Sequence, residues 1–330
     1  MNPDIVSDVL RRVRLRGSLY FHVRGSRDWA AEAPPSRDIA AAVMPAAEHV
    51  MEFHMVLSGA CWAGALGAEP VHLAAGDLVI FAQGDPHVVS SRPGMRAQPH
   101  VQGYFERRHQ ARPFSLHLDA CEIHAGDAPG DAGDTTLVCG FLGCDLRPFN
   151  PLIAALPHTL HLPAATGQGW AAECMRQAVQ ESNASRPGSG AMIERLSEML
   201  FIDAMRRYLG TLPDGSPGWL GALRDRFVGR ALALLHESPE APWTVDELGR
   251  RVGLSRSSLH ERFAAMVGDT PMQYLARWRI QVGAALLRDS ACTVADVALQ
   301  TGYESEAAFG RAFKRLVGQT PAAWRRSARG

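Results

Sequence analysis

Imidazole, thiol and carboxylate groups crowd the first half of this chain, where eleven of its 13 histidines precede Leu162. Glu52, His54 and Val56 alternate along one apolar run, so a strand would turn all three to a single face. Cys139 ends a second apolar run, TLVC, and His22 lies within LYFHVRGS, an early strand whose facing the sequence leaves open. Imidazole nitrogen and thiolate sulfur together suit Zn2+ or Cu+ and exclude Mg2+ or Ca2+, which demand oxygen. The bland alternative is that each is an interior residue with no ligand. None of the six cysteines forms a CxxC pair; in a reducing compartment most would serve as small buried hydrophobes.

Charge supplies the other chemistry. Lys+Arg and Asp+Glu each number 34, a net charge of zero that excludes a uniformly basic nucleic-acid coat. The charge is nevertheless split. From Trp243 onward 13 basic residues face 8 acidic ones, against 21 and 26 in the remainder. The basic part is the one to test for nucleic acid. It contains an internal repeat. Residues 244–271 and 293–321 both open on Thr-Val, carry a central glycine followed by serine, and close on Val-Gly-x-Thr-Pro. In each copy a threonine-capped helix ends at the glycine (Gly253, Gly302) and a serine (Ser255, Ser305) caps a second helix. These are two helix-turn-helix units, 244–265 and 293–315. With Leu259, Phe263, Phe309 and Phe313 inward, the first second-helix presents Arg256, Ser257, His260 and Glu261. The second presents Glu306, Ala307, Gly310, Arg311 and Lys314. Such helices fit the major groove of duplex DNA. Arg311 can read guanine, Glu261 or Glu306 can accept from cytosine, and Lys314 suits phosphate. Residues 271–288 read as one helix of about 25 Å, a spacer able to set two recognition helices about 34 Å apart, one turn of DNA.

Three regions must position these groups. Residues 18–162 have a β texture: short apolar runs (50–57, 71–73, 78–81, 87–90, 114–118, 135–139) divided by Gly and Pro turns, which means a sandwich or barrel. Residues 170–181 and 191–209 read as helices, and 210–218 as a linker. The expected fold is therefore α+β and multidomain: a sensor domain over 1–165, a helical dimerisation or linker region over 166–218, and an all-α double helix-turn-helix domain over 219–330. No secretory signal is visible in residues 1–17 and no apolar run is long enough to span a bilayer, so a cytoplasmic location without membrane partners is expected.

The segments YLARWRIQVGAALL and VADVALQTGYESEAAFGRAFKRLVGQTPAAWR resemble the AraC/XylS family of bacterial transcription regulators. That resemblance covers about residues 227–326. It implies sequence-specific binding of double-stranded DNA, with RNA polymerase as a further partner and a homodimer as the working form. Gly76-Asp77…Gly84-Asp85-Pro86-His87 resembles the second cupin motif, which puts His87 at a ligand position, although Ala82 replaces the motif proline. Glu52 and Gly59 resemble the end of the first cupin motif, whose usual His-x-His positions hold Ala46 and Glu48. The order FHMVLSG, LAAGDLVIFAQGDPHVV, TLVCGF, NPLIAALP is similar to the cupin-type sensor domain of one AraC subgroup. His22, His54, His87 and Cys139 are then expected to converge in a cupin-like β-barrel as a soft-metal or redox centre. Beside a cation the Cys139 thiolate would have a lowered pKa and oxidise first. The signal is a small molecule, a metal or an oxidant. Two alternatives stand beside this reading: a cupin-type metal enzyme fused to a DNA-binding tail, and a barrel that serves only to dimerise.

Overall fold

The computed structural model describes residues 4–108, 113–119, 122–126, 134–164, 170–184 and 186–329. It divides into two compact units: Leu15–Asp145 with Leu156–Gly210, and Met1–Arg14 with Leu146–Ala155 and Thr211–Gly330. This corrects the expected three-part division. Residues 1–14 and 146–155 belong to the helical unit, and most of 166–218 belongs to the β unit. No helix among the described residues is long and apolar enough to cross a membrane.

The chain opens with α1 (Ile5–Arg12), a member of the helical unit, and then enters the β unit. There follow β1 (Arg16–Ser26), β2 (Ala30–Ala33), α2 (Ser36–Val43), β3 (His49–Ser58), β4 (Ala60–Ala65), β5 (Val71–Ala74), β6 (Leu78–Phe81), β7 (His87–Ser90), α3 (Val101–Arg107), β8 (Phe114–Asp119), β9 (Glu122–Ala125) and β10 (Thr135–Cys144). After α4 (Pro151–Ala154), again in the helical unit, come β11 (Thr159–Leu162), α5 (Trp170–Ala184) and α6 (Ser189–Thr211). Seven strands form one sheet in the order β11-β6-β3-β10-β1-β8-β9, and four form another, β2-β7-β4-β5. Their inner faces share one core that includes Trp29, Val56, Cys61, Leu73, Val89 and Leu137. Register decides which side chains enter it. Phe21 lies opposite Cys139, and Cys139 opposite His54, so these three share the inner face. His22 lies opposite Val138, one residue out of phase, and faces the other side of the sheet. Helix α6 packs close on β1 because Gly17 carries no side chain: a Cβ there would lie 2.4 Å from that of Ser197. That packing is why the helix joins the β unit rather than standing apart as a linker.

The helical unit continues through α7 (Trp219–Arg224), α8 (Val228–Glu237), α9 (Val245–Val252), α10 (Arg256–Val267), α11 (Pro271–Asp289), α12 (Val294–Gln300), α13 (Glu306–Val317) and α14 (Pro321–Arg329). The caps fall where the repeat predicts. Thr244, Ser255, Thr293 and Ser305 each accept a backbone N–H three residues on, at 3.1–3.2 Å. Gly253 ends α9 at φ 82°, a left-handed conformation that favours glycine. Leu259, Phe263, Phe309 and Phe313 are fully buried. Helix α11, 19 residues or about 28 Å long, is shared by both helix-turn-helix units. Its Tyr274 ring meets Phe263 at 5.9 Å, and its Ile280, Ala284 and Leu287 pack with Phe309, Phe313 and Trp324.

Helix α1 and the 146–155 segment dock on this same unit. Ile5 and Val9 are buried. The Asp8 carboxylate bonds His236 Nδ1 at 2.9 Å, His236 Nε2 bonds the Tyr274 hydroxyl at 2.8 Å, and Trp219 Nε1 donates to that hydroxyl at 2.9 Å. Gln281, 2% exposed, donates from Nε2 to the Arg12 carbonyl at 3.3 Å and accepts from the Phe149 N–H at 3.0 Å. Burial disfavours charge on His236 and lowers its pKa despite the neighbouring carboxylate. Burial alone would raise the Asp8 carboxyl, but its bonds to His236 and Arg12 outweigh that and hold it low.

Two measurements check this docking. Gln281→Leu strands the Arg12 carbonyl and the Phe149 amide inside the unit, so its unfolding free energy in urea should fall by about 1–3 kcal/mol; an unchanged midpoint would mean water replaces the amide without loss. Because the folded pKa of His236 is depressed, its contribution is complete above about pH 6.5 and is lost as pH falls, since the unfolded chain takes up the proton that the folded one refuses. Asp8, also depressed, adds a loss of the same sign at lower pH. The urea midpoint should therefore drop between about pH 7 and pH 5, and the drop should shrink in His236→Gln.

Candidate functional site

Between the two sheets lies a cavity of about 390 Å³. Phe21, Trp29, Val89, Leu116 and Leu137 give it apolar walls, and Tyr104 on α3 also lines it. Glu32, Gln98, His100 and Arg107 also line it, and its buried polar groups form one cluster. Glu52 and His54 enter from β3, two residues apart, and His87 from the start of β7. All three are at most 5% exposed. His54 Nε2 lies 2.8 Å from His87 Nε2, and the Glu52 carboxyl oxygens lie 3.9 Å and 3.8 Å from those two atoms. The His87 ring stacks on Phe81 at 3.7 Å, and its Nδ1–H donates to the Asp85 carbonyl at 2.9 Å. That bond fixes the tautomer: a neutral His87 then carries its lone pair on Nε2, and His54 supplies the proton between the two rings. Glu52 Oε2 and His54 Nδ1 are buried without a hydrogen-bond partner.

Burial governs protonation here. It pushes the Glu52 carboxyl up to about 8 and His87 down to about 4, against the opposing pull of Asp85. Burial and then His87 hold His54 well below the usual imidazole range. At neutral pH the cluster is largely uncharged, so its 3.8 and 3.9 Å separations join neutral groups rather than ion pairs.

Of the four expected ligands, His54 and His87 come together as expected. His22 does not join them, because its side chain faces away across the sheet. Cys139 lines the cavity beside His54 but stands outside the set of mutually close donors, which is Glu52, His54 and His87. Its thiol is pushed well above the ordinary range, by burial first and then by Glu52. Glu52 is the residue the ligand set lacked. Its place on the His54 face of the strand was the signal that could have supplied it.

The expected DNA-reading residues occupy the outer faces of α10 and α13. Arg256, Ser257, His260 and Glu261 are exposed, as are Glu306, Ala307, Arg311 and Lys314; Gly310 is half-buried. Glu306, Ala307, Gly310, Arg311 and Lys314 line one open groove with Thr320 and Pro321. Arg256 pairs with Asp246 at 3.1 Å, an exposed contact of little energetic weight. Among the described residues neither Arg311 nor Lys314 forms an ion pair, so with Glu306 on the same groove two cations face one carboxylate.

Comparison with known proteins agrees with both halves. A family described as "Cupin" matches residues 4–210, and a "Helix-turn-helix domain" family matches residues 248–327. The chain is 31% identical over 328 residues to an AraC-like transcription regulator of Streptomyces antibioticus, covering 98% of each. It is 28% identical over 327 residues to the HTH-type transcriptional regulator AlkR of Acinetobacter baylyi, covering 98% of this chain and 99% of that one. Among solved structures, the DNA-binding domain of AdpA in complex with a target DNA matches 32% of this chain and 94% of its own, at 30% identity and a TM-score of 0.31. The chain belongs to the AraC-like transcription regulators and is a DNA-binding regulator with a cupin-type unit ahead of its helix-turn-helix unit.

Proposed function

We propose that this is a one-component switch: α10 and α13 read successive major grooves of a duplex promoter, and the cavity of the β unit receives the signal. The exposed Arg311 and Lys314 on the α13 groove, neither in an ion pair, carry the first half of that reading. A mostly apolar cavity with two orphaned polar atoms supports the second, since buried polar groups normally have partners and a ligand can supply them. Binding rather than catalysis is the role of the β unit; the absence of the usual cupin His-x-His pair, replaced by Ala46 and Glu48, supports this over the enzyme alternative. The protein works in the cytoplasm as a homodimer that engages RNA polymerase. Met192 and Met199, seven residues apart and exposed on α6, offer apolar contacts to such a dimer.

Base readout and phosphate contact separate by mutation. Arg311→Ala should cost about 1–3 kcal/mol on the preferred site and relax the preference at one base pair. Lys314→Ala should weaken all sequences about equally and flatten the salt dependence of binding. Binding to a library of promoter fragments at several salt concentrations reads both. If both variants keep the wild-type ranking of sites, Arg311 contacts phosphate and the assignment of readout fails.

A further inference from the structure

We infer that Arg279, on α11, is a positioning residue for promoter recognition: it joins the two helix-turn-helix units at one mutual angle and so sets the spacing of DNA boxes that the protein accepts. The inference rests on the proposed reading of two successive major grooves by α10 and α13, and it concerns a residue on neither of those helices.

The side chain serves both units at once. Toward the first, Arg279 Nε donates to the Pro239 carbonyl at 2.6 Å and Nη2 to the Ala241 carbonyl at 2.8 Å. Those carbonyls belong to the turn that delivers the chain to α9. The turn is itself fastened to the first unit. Trp243 Nε1 donates to the Ser238 carbonyl at 2.8 Å, and the Arg251 guanidinium of α9 lies 4.9 Å from the centre of the Trp243 ring. Toward the second unit, the Arg279 guanidinium lies 5.9 Å from the centre of the Tyr303 ring, in the turn between α12 and α13. Tyr303 in turn packs edge-on against Phe309 of α13 at 5.4 Å.

The two turns approach closely enough to need a glycine. At Gly302 a Cβ would lie 2.5 Å from the Glu240 carbonyl oxygen and 2.8 Å from Arg279 Nη2, and the backbone there stands at φ 78°. Each unit also packs on α11, so this joint adds a direct attachment between them that resists rotation about that helix. A guanidinium suits the place, because its planar fork reaches two carbonyls at once where an ammonium is a single point charge.

The consequence for DNA is geometric. Two linked binding elements reinforce each other only when their arrangement lets both engage. Boxes one turn apart stand about 34 Å and about 10.5 base pairs apart, so one inserted pair turns the second box by about 34° and moves it about 3.4 Å. A stiff joint makes that displacement costly. A loose joint accommodates it and gives up part of the advantage at the native spacing.

The test uses the full-length protein and a duplex that the wild type selects from a library of randomised duplexes. Affinity is measured on that duplex, on versions with either box scrambled, and on versions with one base pair inserted between the boxes. The wild type should select two boxes and lose about tenfold or more on insertion. Arg279→Met, which keeps the aliphatic stem and frees both carbonyls, should bind each single box as the wild type does. It should bind the intact duplex about tenfold more weakly and lose little more on insertion. Arg279→Lys, which keeps the charge and reaches one carbonyl, should fall between the two, and it supplies the comparison if Arg279→Met does not fold. A wild-type spacing profile in the variant, or a loss on single boxes as large as that on the intact duplex, would overturn the inference and leave the two-groove reading standing. A wild type that selects one box, or tolerates the insertion without loss, would sink the two-groove reading and the inference with it.

Discussion

One buried amide holds the helical unit's three pieces of sequence in register. Gln281 stands on α11, the helix that supports both helix-turn-helix cores, and it grips the Arg12 carbonyl on one side and the Phe149 amide on the other. Those two residues flank Leu15–Asp145, the first of the two stretches that build the β unit. The cost of leaving either backbone group unpaired in the interior keeps both in place. The Arg12 guanidinium, 5.5 Å from the centre of the Trp278 ring, and the Asp8–His236–Tyr274 chain add to the same attachment.

The double helix-turn-helix was legible in the sequence because its information is local. Thr244, Gly253 and Ser255 specify a cap, a stop and a second cap within twelve residues, and the second copy repeats them. The docking of α1 was not legible. Its periodicity says only that it is an amphipathic helix; the choice of His236, 228 residues away, belongs to tertiary packing. Gln281 was invisible for a related reason: a glutamine on a helix reads as a surface residue until the groups that satisfy it are known.

Within the β unit, alternation correctly placed Glu52 and His54 on one inner face, since both sit on the same strand. Alternation gives parity within a strand, however, and not between strands. His22 was lost to that limit. The pairing of β1 with β10 shifts between Leu19 and Phe21, and an irregularity of one residue decides which of Phe21 and His22 enters the core. Cys139 was placed on the right strand and the right face; what the sequence could not give is the distance between its sulfur and the imidazoles.

The attachment of α1 also imposes an order on synthesis. Asp8 leaves the ribosome 228 residues ahead of His236. At about 5–20 residues per second that interval is about 10–50 s, during which the strands of the β unit can pair while Ile5 and Val9 wait without a partner. The DNA-reading unit, needing both the first helix and the last ones, closes only after the intervening unit has had its time to fold. A chain whose synthesis stops before His236 therefore lacks the partner that Asp8 takes in the finished helical unit.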